Sequence, residues 1–221
     1  MIPMRKVLTV ALPKGKLGDD SIALLREAGY PTEGLEVNSR KLSFSYEGIK
    51  YIICRPTDVP VYVEHGAADV GIVGKDTIVE AAADVFELVD LKFGTCRFVV
   101  ALPRKRWEGL EQQGQGLEAL NHGRVATKFP KVADEFFRSQ GMQVEVIKLH
   151  GNIELAPQVG LSEMIVDIVS TGRTLKENDL IPVQEIFTAS ARLIANRVSY
   201  RMRNGEIQNM AEKLKSLVEA G

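Results

Sequence analysis

Apolar residues fall in short runs separated by amphipathic stretches along most of the chain. Lys6 to Leu12 (KVLTVAL) is rich in branched side chains and predicts a buried strand. Pro13, Gly15 and Gly18 break the run, and Asp19, Asp20 and Ser21 offer cap chemistry for a helix over Ile22 to Ala28. Leu42 to Tyr46 alternates with period two, Glu47-Gly48 turns, and Ile49 to Cys54 returns as the second arm of a hairpin. Thr57 or Asp58 then caps a short helix through Val63, Ala68 to Val73 is strand, and Asp76 caps a helix over Thr77 to Ala83. The later half repeats the alternation. Cys96 to Leu102, Arg124 to Thr127, Val144 to Leu149 and Met164 to Val169 read as strands. Val132 to Gln140 reads as a helix, and Glu154 opens a brief one near Pro157. Ile207, Met210, Ala211, Leu214, Leu217 and Val218 keep helical spacing, so an amphipathic helix follows near the end. Pro103 to Gly123, with four glycines and Arg104-Lys105-Arg106, is expected to be a solvated connection. Strands alternating with helices predict an α/β protein with mostly parallel sheets.

Length refines this picture. The chain has 221 residues, about one and a half domains at roughly 150 residues each, so either one large domain or two small lobes that share segments. Hydrophobic residues make up 45% and charged residues 26%, and the net charge of −1 argues against a general nucleic-acid or anionic-membrane footprint. Cys54 and Cys96 lie in apolar runs without metal or redox spacing, so buried, inert thiols in a reducing compartment are expected. His65, His122 and His150 are dispersed, which leaves a protein-held transition metal little support. Met1 to Arg5 lacks a signal-peptide pattern and no apolar run reaches the length of a membrane span, so the expected location is cytoplasmic.

The sharpest chemical signal is Asp167-Ile-Val-Ser-Thr-Gly-Arg-Thr174, which follows an apolar strand. Thr171, Gly172, Arg173 and Thr174 can aim backbone N–H and hydroxyl groups at one point, and Leu175-Lys176 starts a helix whose N-terminus adds its dipole. A phosphate monoester fits such a cradle; so does an ordinary strand–turn–helix corner. Glu163 and Asp167 lie just before it, placed to accept from vicinal sugar hydroxyls or to hold Mg²⁺. A second cationic cluster, Lys14 and Lys16, follows the first strand at the edge where open α/β sheets bind ligands. It lacks the P-loop spacing. Arg40 and Arg55 flank the hairpin, and guanidinium forks suit pyrophosphate or triphosphate oxygens.

Taken in order, these segments resemble one family. Val10-Ala-Leu-Pro-Lys-Gly-Lys-Leu17, Arg55-Pro-Thr-Asp-Val-Pro60 and Tyr62 to Asp76 look like the ATP phosphoribosyltransferase family. Gly151-Asn-Ile-Glu-Leu-Ala-Pro157 and Val159 to Leu175 do too, and the likeness runs from about Val7 to Tyr200. The length resembles that of the short-form catalytic subunit. Ser170 stands where many relatives carry an acidic residue, and Lys16 where an arginine is common.

The resemblance implies a two-lobed α/β fold like the type II periplasmic binding proteins, with the active site in the inter-lobe cleft. One lobe would comprise residues 1–93 and 181–221, and the other 94–180. The implied reaction is the first step of histidine biosynthesis. N1 of ATP attacks C1′ of phosphoribosyl pyrophosphate (PRPP) and expels pyrophosphate, with Mg²⁺ accompanying the substrates. Glu163, Asp167, Ser170, Thr171, Gly172, Arg173 and Thr174 would bind PRPP. Lys14, Arg40 and Arg55 would serve the pyrophosphate and ATP phosphates, and Gly151, Glu154 and Lys16 would line the cleft. No fixed protein metal site is implied beyond Asp167 meeting substrate-bound Mg²⁺. The implied partner is a regulatory subunit similar to histidyl-tRNA synthetase, in a hetero-octamer. A non-catalytic two-lobed binding protein and a free-nucleobase phosphoribosyltransferase remain the alternatives.

Overall fold

The structure is a computed structural model that describes residues 7–220. Lys6 of the first predicted strand, and Met1 to Arg5, lie outside the described residues. In chain order the elements are β1 (Leu8–Pro13), α1 (Lys16–Glu27), β2 (Ser43–Tyr46), β3 (Ile49–Cys54), α2 (Val59–Glu64), β4 (Val70–Gly74), α3 (Lys75–Ala81) and β5 (Phe86–Asp90). Then come β6 (Cys96–Pro103), α4 (Arg104–Gln112), β7 (Arg124–Thr127), α5 (Pro130–Ser139), β8 (Glu145–Lys148), α6 (Leu155–Gln158) and β9 (Met164–Val169). The chain continues through α7 (Arg173–Glu177), β10 (Leu180–Ala189), β11 (Ala191–Ala195), α8 (Arg197–Met202) and α9 (Asn204–Ala220).

The chain divides into two compact units, one holding residues up to Gly94 and from Ser190 onward, the other Thr95–Ala189. The first contains a sheet in the order β2-β3-β1-β4-β11-β5, the second a sheet in the order β10-β6-β9-β7-β8. Neither is mostly parallel, contrary to expectation. β1 pairs in parallel with β3 and β4, but the β2–β3 hairpin and β11 with both its neighbours are antiparallel. In the second sheet β9 is parallel to β7, and β7 to β8, whereas β6 runs antiparallel to β9 and β10. The lobe boundary expected near residue 181 also moves. β10 pairs with β6 from Leu180 through Ala189, so its backbone groups are satisfied inside the second sheet and the chain returns to the first unit at Ser190.

Local packing explains these elements. α1 begins at Lys16, three residues before the Asp19 cap expected from sequence, and no side chain caps it. It can start so close to β1 because Gly18 faces the Pro13 carbonyl, where an added Cβ would sit 2.0 Å from the oxygen. Ile22 and Leu25 of α1 then join Val10, Leu12, Tyr51, Ile72 and Leu193 in the first core. α9 adds Ile207, Met210 and Leu214, the apolar stripe expected from its spacing. The Pro103 to Gly123 segment is not loose. It forms α4 and a 3₁₀ turn at Leu117–Leu120, with Trp107 and Leu110 half-buried and Arg104 paired with Asp179 at 3.6 Å.

Asp69 and Lys75, read as a candidate ion pair, do not meet each other. Asp69 is buried and accepts hydrogen bonds from the Thr9 N–H at 2.8 Å, the Ser199 hydroxyl at 2.7 Å and Arg203 Nη1 at 3.3 Å. Lys75 pairs instead with Glu87. Asn196 caps α8, accepting from the Val198 and Ser199 N–H groups, while its amide nitrogen donates to the Val63 and Glu64 carbonyls.

Candidate active site

Strands β7, β8 and β9 run in parallel, with Thr127 opposite both Lys148 and Val166. Their carboxyl ends therefore share one edge of the second sheet, where open sheets gather ligand-binding loops. A cavity of about 370 Å³ lies there. After β9 it is lined by Ser170, Thr171, Gly172, Arg173 and Thr174, which the sequence singled out, together with Asp167 and Glu154. The structure adds Lys128, which follows β7, and Asn152, which follows β8.

The loop geometry suits an anion. Gly172 takes φ 74°, in the left-handed region, and stands at the N-cap of α7. An added Cβ would make only an ordinary 3.7 Å contact with Val169, so the conformation rather than space calls for glycine. Gly172 has no side chain with which to cap α7, and the first N–H groups of a helix have no partner within it. Thr171 Oγ1 accepts from the Arg173 N–H at 3.4 Å, which tightens the turn. The Arg173 guanidinium pairs with Glu177 at 2.8 Å and is largely exposed. Its Nη donors stay free for a ligand.

Asp167 sits in β9 with one carboxylate oxygen accepting from the Ile168 N–H at 2.9 Å. Burial pushes its carboxyl above the ordinary carboxylate range and Glu154 adds to the rise, while the Ile168 N–H and the Lys128 charge oppose it. Glu163, expected beside Asp167, is elsewhere. It precedes β9, and Arg124 holds it through the backbone N–H at 2.6 Å, Nε at 3.3 Å and Nη2 at 2.7 Å. That pairing brings the Glu163 carboxyl down to about 2. Three strand residues lie between the two acids, a rise of roughly 13 Å, and Glu163 is absent from the cavity lining. Gly151 is exposed and also outside the lining.

The remaining predicted cations lie in the first unit. Pro13 pairs with Cys54, and the Lys14 N–H donates to the Cys54 carbonyl at 2.9 Å, so Lys14 and Arg55 leave adjacent strand ends. Arg40 lies two residues before Leu42, whose carbonyl accepts from the Ile53 N–H at 2.9 Å, which brings it to the same edge. All three are exposed, and among the described residues none has an ion-pair partner. Lys16 is exposed at the start of α1. Cys54 is half-buried rather than fully buried, and burial, aided by Asp58, pushes its thiol up to about 12, which suits an inert thiol. Among the described residues no group of three or more His, Cys, Asp or Glu is placed to hold a metal ion, and no helix is long and apolar enough to cross a membrane.

A family model described as "ATP phosphoribosyltransferase" matches residues 55–216. The chain belongs to the ATP phosphoribosyltransferase family. A family member from Moorella thermoacetica is 62% identical over 219 residues, spanning 97% of this chain and 95% of the relative. Another from Desulfitobacterium hafniense is 57% identical over 217 residues, spanning 97% of both. Among solved structures, the ATP phosphoribosyl transferase (HisG:HisZ) complex from Thermotoga maritima aligns with a TM-score of 0.81 at 34% identity, covering 97% of this chain and 100% of that one. A substrate-binding protein of an amino acid ABC transporter aligns at 14% identity with a TM-score of 0.59, a likeness of fold alone. The ATP phosphoribosyltransferase fold seen here is thus also that of substrate-binding proteins.

Proposed function

We propose that this ATP phosphoribosyltransferase, an enzyme of the first step of histidine biosynthesis, holds the ribose 5-phosphate of PRPP in the Ser170–Thr174 cavity. The observation that carries the reading is the cradle itself. Three hydroxyls, a left-handed glycine and a helix start share one cavity with a half-buried aspartate, at the carboxyl ends of three parallel strands. Backbone and hydroxyl donors of this kind take a phosphate monoester. Asp167 is placed to accept hydrogen bonds from the ribose hydroxyls, which fixes C1′ relative to the anchored phosphate. Lys14, Arg40 and Arg55, unpaired at one edge of the first sheet, take the pyrophosphate and the ATP phosphates.

The chemistry asks little of proton transfer. The lone pair of adenine N1 forms the new bond to C1′ while the C1′–O bond breaks and its electron pair leaves with pyrophosphate. N1 arrives unprotonated, so no general base is needed. Negative charge grows on the leaving group, and fixed cations stabilise it most where water is excluded. Alignment of the two bound substrates supplies on the order of 7–11 kcal/mol of the barrier. Mg²⁺ typically takes one or two carboxylates and completes its shell with substrate phosphates and water, and the cavity offers two, Asp167 and Glu154. These residues would hold the ion, which offsets charge on the pyrophosphate.

The Thermotoga relative is described as a HisG:HisZ complex. We extend this to the present chain: it works with a HisZ-type regulatory subunit similar to histidyl-tRNA synthetase, in a hetero-octamer. The reading is tested by incubating chain and regulatory subunit with ATP, PRPP and Mg²⁺ and following N1-(5-phosphoribosyl)-ATP. Product is expected only when PRPP is present, and Thr171→Ala combined with Thr174→Ala should raise the KM for PRPP well above that for ATP. An unchanged KM for PRPP would move the 5-phosphate elsewhere.

A further inference from the structure

Lys128 was invisible as a site residue in the sequence, where it sits in a stretch, Arg124 to Pro130, that carries no ligand motif. The fold changes its standing. β7 and β9 are adjacent and parallel with Thr127 opposite Val166, so Lys128, the first residue after β7, comes beside Asp167 of β9. Thr127 is buried, and its hydroxyl accepts from the Phe129 N–H at 2.9 Å, which shapes the turn that carries Lys128 toward the cavity. Pro130 then opens α5.

The cavity lining contains two cations, Lys128 and Arg173. Arg173 is engaged by Glu177. Lys128 has no carboxylate within ion-pair distance among the described residues. Lys128 is exposed and lines the cavity together with Asp167 and Glu154. A free ammonium group on a flexible stem, beside a loop of phosphate-type donors, is a ligand for a phosphate oxygen dianion.

We propose that Lys128 is a substrate-binding residue of this site, contacting the 5-phosphate of the phosphoribosyl donor. The inference rests on the reading of the Thr171–Thr174 loop as the 5-phosphate cradle and deepens it by adding a cation that has no ion-pair partner to one, Arg173, that does. The phosphate oxygens at issue have two sources in PRPP, the 5-phosphate and the pyrophosphate, and the probes separate them.

Binding of ribose 5-phosphate, inorganic pyrophosphate and PRPP is measured by calorimetry on the full chain, for wild type, Lys128→Met and Lys128→Arg. Lys128→Met should weaken ribose 5-phosphate and PRPP by roughly 10- to 100-fold, the usual effect of losing a charge-assisted hydrogen bond. It should leave pyrophosphate unchanged, and Lys128→Arg should restore most of the loss. Equal affinity of Lys128→Met and wild type for ribose 5-phosphate overturns the proposal, as does a loss confined to pyrophosphate. If wild type itself fails to bind ribose 5-phosphate, or binds it unaffected by the Thr171→Ala, Thr174→Ala pair, the cradle reading fails instead. Matching unfolding midpoints for the three proteins exclude a folding defect, and a Lys128→Gln variant replaces any that unfolds.

Discussion

Asp167 lies within β9 and Glu163 just before it, yet their surroundings push their carboxyls in opposite directions. Burial raises Asp167, so the folded protein binds its proton more tightly than the unfolded chain does. The group then favours folding at low pH and disfavours it increasingly as pH rises through the unfolded and then the folded value. Asp167→Asn should therefore leave the thermal midpoint at pH 7 equal or higher, while weakening PRPP roughly 10- to 100-fold by calorimetry. A parallel loss of stability would mark a structural residue. For Glu163 the sign reverses, because Arg124 lowers its carboxyl to about 2. Its contribution is present above the ordinary carboxylate range and vanishes as pH falls toward about 2. Glu163→Gln should lower the urea midpoint at pH 7, with the gap to wild type closing in acid, and leave the PRPP affinity unchanged. That Ser170 to Thr174 line one cavity is legible in the sequence because they are consecutive, so their chemistry converges locally. Glu163 lies outside that cavity because it precedes β9 while Asp167 sits within the strand, so the two share a face without sharing the lining. Lys128 was missed because only the parallel pairing of β7 with β9 brings it to Asp167.

At the scale of elements, strands with branched apolar runs were readable, and β3 and β9 match their predicted spans. Other elements depended on tertiary context. β10 carries alternating exposed polar residues and two register irregularities, so only its pairing with β6 defines it. α4 was hidden by its glycine and its basic triplet, although Arg, Lys, Glu, Leu and Gln are good helix formers. α1 starts early because Gly18 allows a close approach that side-chain capping signals do not encode. Gly18→Ala should cost about 1–3 kcal/mol by overpacking against Pro13 and Val37, measured as denaturant unfolding free energy. The Asp69–Arg203 contact ties the α8–α9 segment to β1 and β4, with both side chains nearly excluded from water. Asp69→Ala leaves Arg203 buried without that partner, and about 3–5 kcal/mol of stability should be lost. An unchanged midpoint in either variant would contradict the packing described here.

At the scale of the whole molecule, the length of 221 residues first suggested about one and a half domains. The structure resolves that fraction into two compact units, the first built from both ends of the described chain. Each unit gathers polar groups at the carboxyl edge of its own sheet: exposed cations in the first, and in the second a cavity lined by hydroxyls, carboxylates, Lys128 and Arg173. Such a division fits a reaction with two polyanionic substrates, and the family assignment gives that reaction its name. The regulatory subunit belongs to this scale too. Turnover should rise when a HisZ-type partner is added, and mixtures should sediment as a hetero-octamer rather than as separate species.

The most direct test is a product assay on that mixture with ATP, PRPP and Mg²⁺, resolving nucleotides and pyrophosphate by chromatography. N1-(5-phosphoribosyl)-ATP and pyrophosphate should appear in equal amounts, and Arg55→Ala should cut that turnover sharply while the protein stays folded. No phosphoribosyl-ATP with the partner present, or transfer to free adenine in place of ATP, would contradict it.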